Sequence, residues 1–221
     1  FPARSARGML ASLAVVTVIG ARRMGTALCT PLVDAGHEVR LCGTHLDREI
    51  VASLEQRGHH PKLSLDMPSE IQPYFIEDLA EAMRGVEIIG IGVSSGGVHW
   101  AADVLRPFLR PELPVVMITK GLEWSGTSLV ALPDVLERRM GHEWVGKICP
   151  AAVAGPCIAG ELARRVETCV VLTGRDEAKL DRLRAALTTA YYHPVTSNDV
   201  LGVEVCAALK NAFAMGIAFA Q

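Results

Sequence analysis

Apolar residues recur along this chain in short unbroken runs, each separated from the next by a stretch with helical spacing. LAVVTVI (residues 13–19) reads as a strand, and residues 24–35 carry a helical apolar face that ends at Gly36. HEVRLC (37–42) predicts the second strand, and LDREIVASLEQRG (46–58) the next helix, closed by Gly58. A short strand at Tyr74 and Phe75, the helix EDLAEAMRG (77–85), the strand VEIIGIGV (86–93) and the helix HWAADVLRPFL (99–109) follow. PVVMIT (114–119), KICPAAVA (147–154), TCVVLT (168–173) and YYHPVT (191–196) complete the strands, and the polar HHPKLSLDMPSE (59–70) reads as a loop.

Continuous apolar strands alternating with helices are what a parallel sheet covered on both faces produces. The predicted fold is therefore α/β, a doubly wound, mostly parallel Rossmann-type sheet, with its ligand beyond the carboxyl ends of the strands. From residue 198 the texture changes. LGVEVCAALKNAFAMGIAFAQ (201–221) is a helical pattern that is apolar nearly all round, and such a helix belongs in a core. The expected division is an extension at 1–12, a dinucleotide-binding domain at 13–197, and at 198–221 the first helix of a truncated helical domain.

Composition narrows the partners. Half of the 221 residues are hydrophobic and 5% aromatic, the formal charge is -2, and no basic stripe interleaves with aromatics, so small molecules rather than nucleic acid are expected. Six cysteines fall mostly inside apolar runs without metal or disulfide spacing, which predicts reduced core thiols in a cytoplasmic protein. FPARSARGMLASLAVVTVIGA has the outline of a secretory signal but runs directly into a glycine turn and a helix; Met9 is a candidate start behind an upstream extension. No apolar run reaches the roughly 20 residues of a membrane span without a glycine or charge, so no span is expected.

The stretch IGARRMGTAL lies between the first strand and the first helix. Gly20, Arg22 and Gly25 take the three glycine positions of a dinucleotide loop, whose helix end offers free N–H groups to a pyrophosphate. Arg22 stands where a glycine normally lets backbone approach phosphate. Two outcomes stay open: Arg22 swings outward and pairs with phosphate, or it fills the phosphate site and weakens binding. A turn that binds nothing is the bland alternative. After the second strand come Cys42, Gly43, Thr44 and His45, with no acid at the ribose position. Thr44, His45 and Arg48 suit a 2′-phosphate, Asp47 suits ribose hydroxyls, and the choice between NAD and NADP stays open.

Two lysines stand in apolar company. Lys120 follows PVVMIT at the carboxyl edge of the sheet, and Lys210 lies in CAALKNAFAMGIAFA with Asn211 as its only strongly polar neighbour. Burying an ammonium without a partner is costly and lowers its pKa, so Lys210 either snorkels to the helix surface or serves a site, where a lowered pKa suits a general acid or base near neutral pH.

With these residues the chain resembles the NAD(P)-dependent glycerol-3-phosphate dehydrogenases, through IGARRMGTAL, ITKGLE, AGPCIAGE and GVEVCAALKNAFA in that order. The resemblance implies reduction of dihydroxyacetone phosphate to sn-glycerol 3-phosphate for glycerophospholipid synthesis, with NAD or NADP and a homodimer at full length. It implies Lys210 as the catalytic lysine; Lys120, Gly155, Cys157, Lys210 and Asn211 around substrate; and Gly20, Arg22, Arg23, Met24, Gly25, Thr44, His45, Ser94, Lys120 and Ala159 around the cofactor. Four positions depart from the family pattern: Arg22 for glycine, Met24 for a bulky aromatic, Ser94 for proline and Cys157 for a serine that touches substrate. The family's aspartate and Arg-Asn pair, which grip phosphate and cofactor, belong to the helical domain, so slow or no turnover is expected of residues 1–221 alone. A non-catalytic nucleotide-binding or interaction module, or a related dehydrogenase for another 2-oxo or 2-hydroxy compound, is the competing reading.

Other features carry bland expectations. His59 and His60 lack a third ligand and read as solvated, with no metal expected. Glu137, Arg138 and Arg139 read as a solvated helix face, and Trp100, Trp124 and Trp144 as core or rim residues. Ser94, Ser95, Gly96 and Gly97, at the end of a strand, read as lining for the ribose or nicotinamide side of a cofactor as readily as a plain turn.

Overall fold

In β1 (Val15–Ile19) both sets of alternating side chains are buried or nearly so, which places the strand inside a sheet covered on its two faces. The computed structural model describes residues 13–220; the expected extension at 1–12 lies outside the described residues. β1 is followed by α1 (Arg23–Asp34), β2 (Glu38–Cys42), α2 (Arg48–Arg57), a small hairpin of β3 (His59–His60) and β4 (Leu65–Asp66), β5 (Ile71–Tyr74) and the short α3 (Leu79–Ala82). The chain then returns through β6 (Ile88–Ile91), α4 (Val98–Leu105), β7 (Val115–Met117), a second hairpin of β8 (Leu122–Trp124) and β9 (Leu129–Ala131), and α5 (Leu132–Met140). It closes with β10 (Ala151–Ala154), α6 (Ala159–Ala163), β11 (Thr168–Thr173), α7 (Glu177–Leu187), β12 (Tyr192–Ser197) and α8 (Val200–Ala220).

The main sheet has eight strands in the order β12-β11-β10-β7-β6-β1-β2-β5, and only the β10–β11 pair is antiparallel. The chain runs outward from β1 to β5, then crosses back to β6 on the other side of β1. That reversal opens a crevice at the carboxyl ends of β1 and β6, the place where doubly wound sheets take ligands. Val16 and Val18 face one layer with Leu28, Leu32, Leu162 and Leu183 from α1, α6 and α7. Ile19, Ile89 and Ile91 face the other, with Ala101, Leu105 and Leu136 from α4 and α5. The predicted doubly wound, mostly parallel fold is the one observed.

A buried histidine ties the start of β1 to the opposite end of the domain. His37 Nδ1 accepts from the Ala14 amide at 3.2 Å, while Nε2 lies 3.1 Å from the Ala186 carbonyl at the end of α7, to which it donates. Burial holds its pKa below that of a free histidine.

Several expectations need correction. Residues 59–70 are a hairpin rather than a plain loop, because Leu63 and Met67 go into the core and His60 is 0% exposed instead of solvated. Glu137 is buried too, its carboxylate accepting the Cys149 amide at 2.9 Å, whereas Arg138 and Arg139 do face solvent. Of the six cysteines, all unbridged, Cys169 and Cys206 are exposed on β11 and α8. Burial pushes the Cys42 thiol up to about 12, as expected of an inert core residue.

α8 departs furthest from expectation. Its first half lies against β10, β11 and the β8–β9 hairpin, with Val200, Glu204 and Ala207 buried. Beyond Ala207 the all-round apolar pattern finds no cover among the described residues: Phe213, Met215, Ile217 and Phe219 are 60–85% exposed. Each forgoes about 1.5–3 kcal/mol that full burial would contribute. By length and composition Val200–Phe219 also meets the criteria for a membrane span. No span was expected, and this segment departs from that expectation, although Gly202, Glu204, Lys210 and Gly216 interrupt its apolar run.

Candidate active site

The glycine loop is shaped by close approach of three backbones. Gly20 has φ +101°, and a Cβ there would meet the Gly92 carbonyl carbon at 2.9 Å. A Cβ on Gly25 would overlap the Gly20 carbonyl oxygen, and one on Gly92 would come within 2.6 Å of the Gly25 Cα. Gly20 and Gly25 thus let α1 begin directly over the ends of β1 and β6, and Gly92 is a third member that no spacing rule singled out. Arg22 differs. As N-cap of α1 it has φ −73° and ψ 176°, extended backbone that any residue adopts, so arginine is unstrained there. The N-cap makes no side-chain hydrogen bond, and no acid stands in the first turn of the helix. Its amides and positive dipole end stay open to an anion.

Two buried side chains hold this loop in place, and one of them, His60, was expected to be solvated. Asp47 is 1% exposed, and its Oδ2 accepts from the Ala21 amide at 3.1 Å, the Thr44 amide at 3.0 Å and the Thr44 hydroxyl at 2.9 Å. That oxygen serves the loop itself, while Asp47 also borders the cleft above it. From the other side the Ala21 carbonyl accepts from His60 Nε2 at 3.0 Å and from the Thr26 hydroxyl at 2.9 Å. Leu63 donates its amide to His60 Nδ1, which fixes the tautomer, and burial holds the ring's pKa down. No motif marks His60; a histidine beside hidden apolar positions is the only signal a sequence offers.

The cleft above the loop has a volume of about 230 Å³ and is lined by Gly20, Arg22, Thr44, His45, Ser94 and Trp100, among others. His45 meets the Trp100 ring edge-on at 5.8 Å. The fold therefore gathers five of the predicted cofactor residues: Gly20, Arg22, Thr44, His45 and Ser94. Gly25 acts from beneath. Arg23 turns away to donate to the Lys62 carbonyl at 2.9 Å, Met24 packs on the core, and Ala159 is buried at the start of α6. Arg48 pairs with Glu77 and covers the Phe75 ring, away from the cleft lining.

A second concavity of about 560 Å³ lies between the loop after β10 and the first half of α8, lined by Gly155, Pro156, Cys206, Ala207 and Lys210 among others. Gly155 has φ +126°, and a Cβ there would sit 3.3 Å from the Val170 Cα. Its carbonyl accepts from Lys120 Nζ at 3.2 Å. Desolvation first, and then the neighbouring Lys210 charge, push the Lys120 pKa down. Lys210 and Asn211 are exposed on α8, contrary to the expectation of a buried ammonium, because the groove is open. Cys157 is buried beneath the loop, and burial raises its thiol pKa. Glu204 was not anticipated: it is 0% exposed, both carboxylate oxygens lack a partner among the described residues, and burial raises its pKa to about 7 against the opposing pull of Lys120. Among the described residues no His, Cys, Asp and Glu cluster is suited to a metal.

Comparison with known proteins agrees with this geometry. Residues 15–180 match the family described as NAD-dependent glycerol-3-phosphate dehydrogenase N-terminus. An NADP(+)-dependent glycerol-3-phosphate dehydrogenase of Archaeoglobus fulgidus is 32% identical over 205 residues, which are 93% of this chain and 60% of that protein. A glycerol-3-phosphate dehydrogenase [NAD(P)+] of Escherichia coli O1:K1 / APEC is 36% identical over 207 residues, 92% of this chain and 58% of that one. The crystal structure of glycerol-3-phosphate dehydrogenase from Coxiella burnetii superposes with a TM-score of 0.77 at 26% identity, covering 91% of this chain and 59% of the other. The chain thus spans about 60% of the length of the curated relatives it matches. It belongs to the NAD-dependent glycerol-3-phosphate dehydrogenase N-terminal family.

Proposed function

We propose that this chain carries the dinucleotide site and part of the substrate site of an oxidoreductase that interconverts dihydroxyacetone phosphate and sn-glycerol 3-phosphate. The observation that carries the reading is the convergence of Lys120 and Lys210 on the Gly155 groove, at the same sheet edge as the uncapped start of α1. NAD or NADP would supply or accept the hydride at substrate C2. Lys210 would give its proton to the C2 oxygen as negative charge develops there, and take one back in the oxidising direction. Lys120 and the Gly155 backbone would orient substrate, with Cys157 and Asn211 bordering it. Gly20, Gly25 and the α1 amides would cradle the pyrophosphate, Arg22 would add a cation at its edge, and Thr44, His45 and Ser94 would border ribose and nicotinamide. Arg23, Met24, Lys120 and Ala159 complete the cofactor surroundings carried over from the family resemblance. The full protein, with the helical domain that residues 198–221 begin, would act as a cytoplasmic homodimer feeding glycerophospholipid synthesis.

The exposure of Lys210 favours one rival, because it removes the argument that a buried ammonium implies catalysis. In that reading the chain is a non-catalytic interaction module whose glycine loop no longer holds a nucleotide. Titration of NADH and NADPH into the chain and into Arg22→Gly separates the two. Binding by the native chain supports Arg22 as part of the phosphate site; binding only by Arg22→Gly, or by neither protein, counts against a working cofactor site and favours the module or a bare turn.

A further inference from the structure

The turn that carries Lys120 has few anchors of its own. The Ile118 amide donates to the Ile91 carbonyl, and from there to β8 the residues Thr119, Lys120 and Gly121 make no backbone–backbone hydrogen bond among the described residues. Gly121 has φ +141°, a conformation that side chains rarely adopt, so the position directly after Lys120 is a glycine joint. Side chains supply the anchors instead. The Thr119 hydroxyl donates to the Val93 carbonyl at 2.7 Å, Lys120 Nζ donates to the Gly155 carbonyl at 3.2 Å, and beyond Gly121 the Glu123 carboxylate accepts from His99 Nε2 at 2.8 Å.

The last of these bonds joins two parts of the fold. His99 lies in the first turn of α4, next to Trp100, which lines the glycine-loop cleft with Ser94, Gly96 and Gly97. Glu123 lies on β8, and the β8–β9 hairpin packs against α8, whose first half walls the other groove. The pair is half-buried and borders a concavity of about 220 Å³ that Ser125, Arg138 and Arg139 also line. Two of these neighbours are engaged elsewhere: Arg139 pairs with Asp103, and Ser125 bonds Ser128 across the hairpin tip. An ion pair this exposed adds little to global stability, so its effect is local.

We propose that His99 and Glu123 are positioning residues for Lys120: their hydrogen bond closes the glycine-jointed turn onto α4 and so holds the Lys120 side chain at the Gly155 carbonyl. Thr119 fixes one end of the turn just past β6, and the pair fixes the other, three residues beyond the lysine. The helix beside the cofactor cleft and the lysine of the substrate groove then share one brace. The substrate role of Lys120 rests on the function proposed above; the brace itself does not.

The test follows the titration of Lys120 and needs neither nucleotide nor turnover. Desolvation is the largest influence holding the Lys120 pKa below that of an ordinary lysine, so a turn released from α4 hydrates the ammonium and raises its midpoint. Lys210, Cys157 and Glu204 also act on Lys120, and the substitutions leave all three in place. The midpoint is read from the pH profile of acylation by a small amine-directed reagent, each lysine being resolved by peptide mass spectrometry. Glu123→Ala and His99→Ala should each shift the Lys120 midpoint upward, and the double substitution should shift it no further than either alone. Glu123→Gln keeps an acceptor for the ring N–H and should stay near the native value. Lys179, buried and bonded to the Lys147 and Ile148 carbonyls, reports general loosening and should keep its profile.

A shift in Glu123→Ala without one in His99→Ala is a charge effect, since only the first removes a carboxylate, and it overturns the proposal. An unshifted Lys120 in both folded variants overturns it too, as does a Lys179 profile that moves together with Lys120. Should the alanine variants not fold, Glu123→Asp, one methylene too short to reach His99, takes their place with the same two outcomes. An upward shift with no binding of NADH or NADPH would retire the dehydrogenase reading alone; binding with Lys120 unshifted would retire this inference alone.

Discussion

The two concavities at the carboxyl edge of the sheet are built in opposite ways. The glycine-loop cleft is made of backbone: Gly20, Gly25 and Gly92 are in contact, and the Ala21 peptide is held from both sides by Asp47 and His60. The α8 groove is made of side chains on a helix whose far half is uncovered, with Lys120 tethered once and Glu204 not at all. A backbone site is organised before its ligand arrives, and such preorganisation lowers the cost of binding. A side-chain site whose charges are incompletely paired responds to pH and to whatever covers it.

The comparison breaks most severely at Gly25. Gly25→Val places two γ-carbons and a Cβ where the Gly20 carbonyl already lies, so α1 must lift off the sheet. Overpacking costs about 1–3 kcal/mol where side chains yield and more against backbone. A thermal melt should show the largest loss of any substitution considered, and NAD(P)H titration should show no binding. A native melting temperature would mean that the loop is looser than its contacts imply.

Asp47 gives the next effect. Asp47→Ala leaves the Ala21 and Thr44 amides and the Thr44 hydroxyl without their acceptor, at about 1–3 kcal/mol for unsatisfied buried donors. Asp47→Asn keeps an acceptor oxygen and should cost much less. If both variants melt alike, the negative charge rather than the hydrogen bonds matters, and the loop is held electrostatically.

His37 and His60 supply a smaller, pH-dependent term. Burial holds both pKa values below that of free histidine, and each ring accepts an amide through the nitrogen that protonation would block. The unfolded chain therefore takes up protons first as pH falls. Stability is intact above about pH 6.5, the value for unperturbed histidine, and declines below it. Replacing His37 by Gln should flatten part of the slope of melting temperature between pH 7 and pH 5; an unchanged slope would assign the decline to other groups.

These cases also mark what the sequence makes legible. Strand runs such as residues 168–173 and the Gly58 helix stop are local, because continuous apolar β-branched residues and a left-handed cap depend on near neighbours. The doubly wound class follows from the alternation of strands and helices, whereas the strand order and the antiparallel β10–β11 pair do not. His60 was misread and Glu204 missed because their burial depends on elements remote in sequence: His60 bonds the Ala21 carbonyl, 39 residues away, and Glu204 lies under α8 against β10, β11 and the β8–β9 hairpin. Lys210 was expected to be buried because an all-apolar helix implies burial on every side, and α8 has a sheet on one side only.

That one-sidedness yields the smallest effect on the fold. Phe213 and Phe219 are exposed by 65% and 85%, so Phe213→Ser with Phe219→Ser removes little native contact and should move the melting temperature negligibly, within the ±0.5 kcal/mol usual for surface sites. The same change should act strongly on association, since contiguous exposed apolar surface seeks cover. Light scattering of the native chain should show self-association that the double substitution reduces, with the glycine-loop cleft unaffected. A native chain that runs as a clean monomer would mean that the far half of α8 folds back in solution, and the contrast between a closed cleft and an open groove would then fail at the groove.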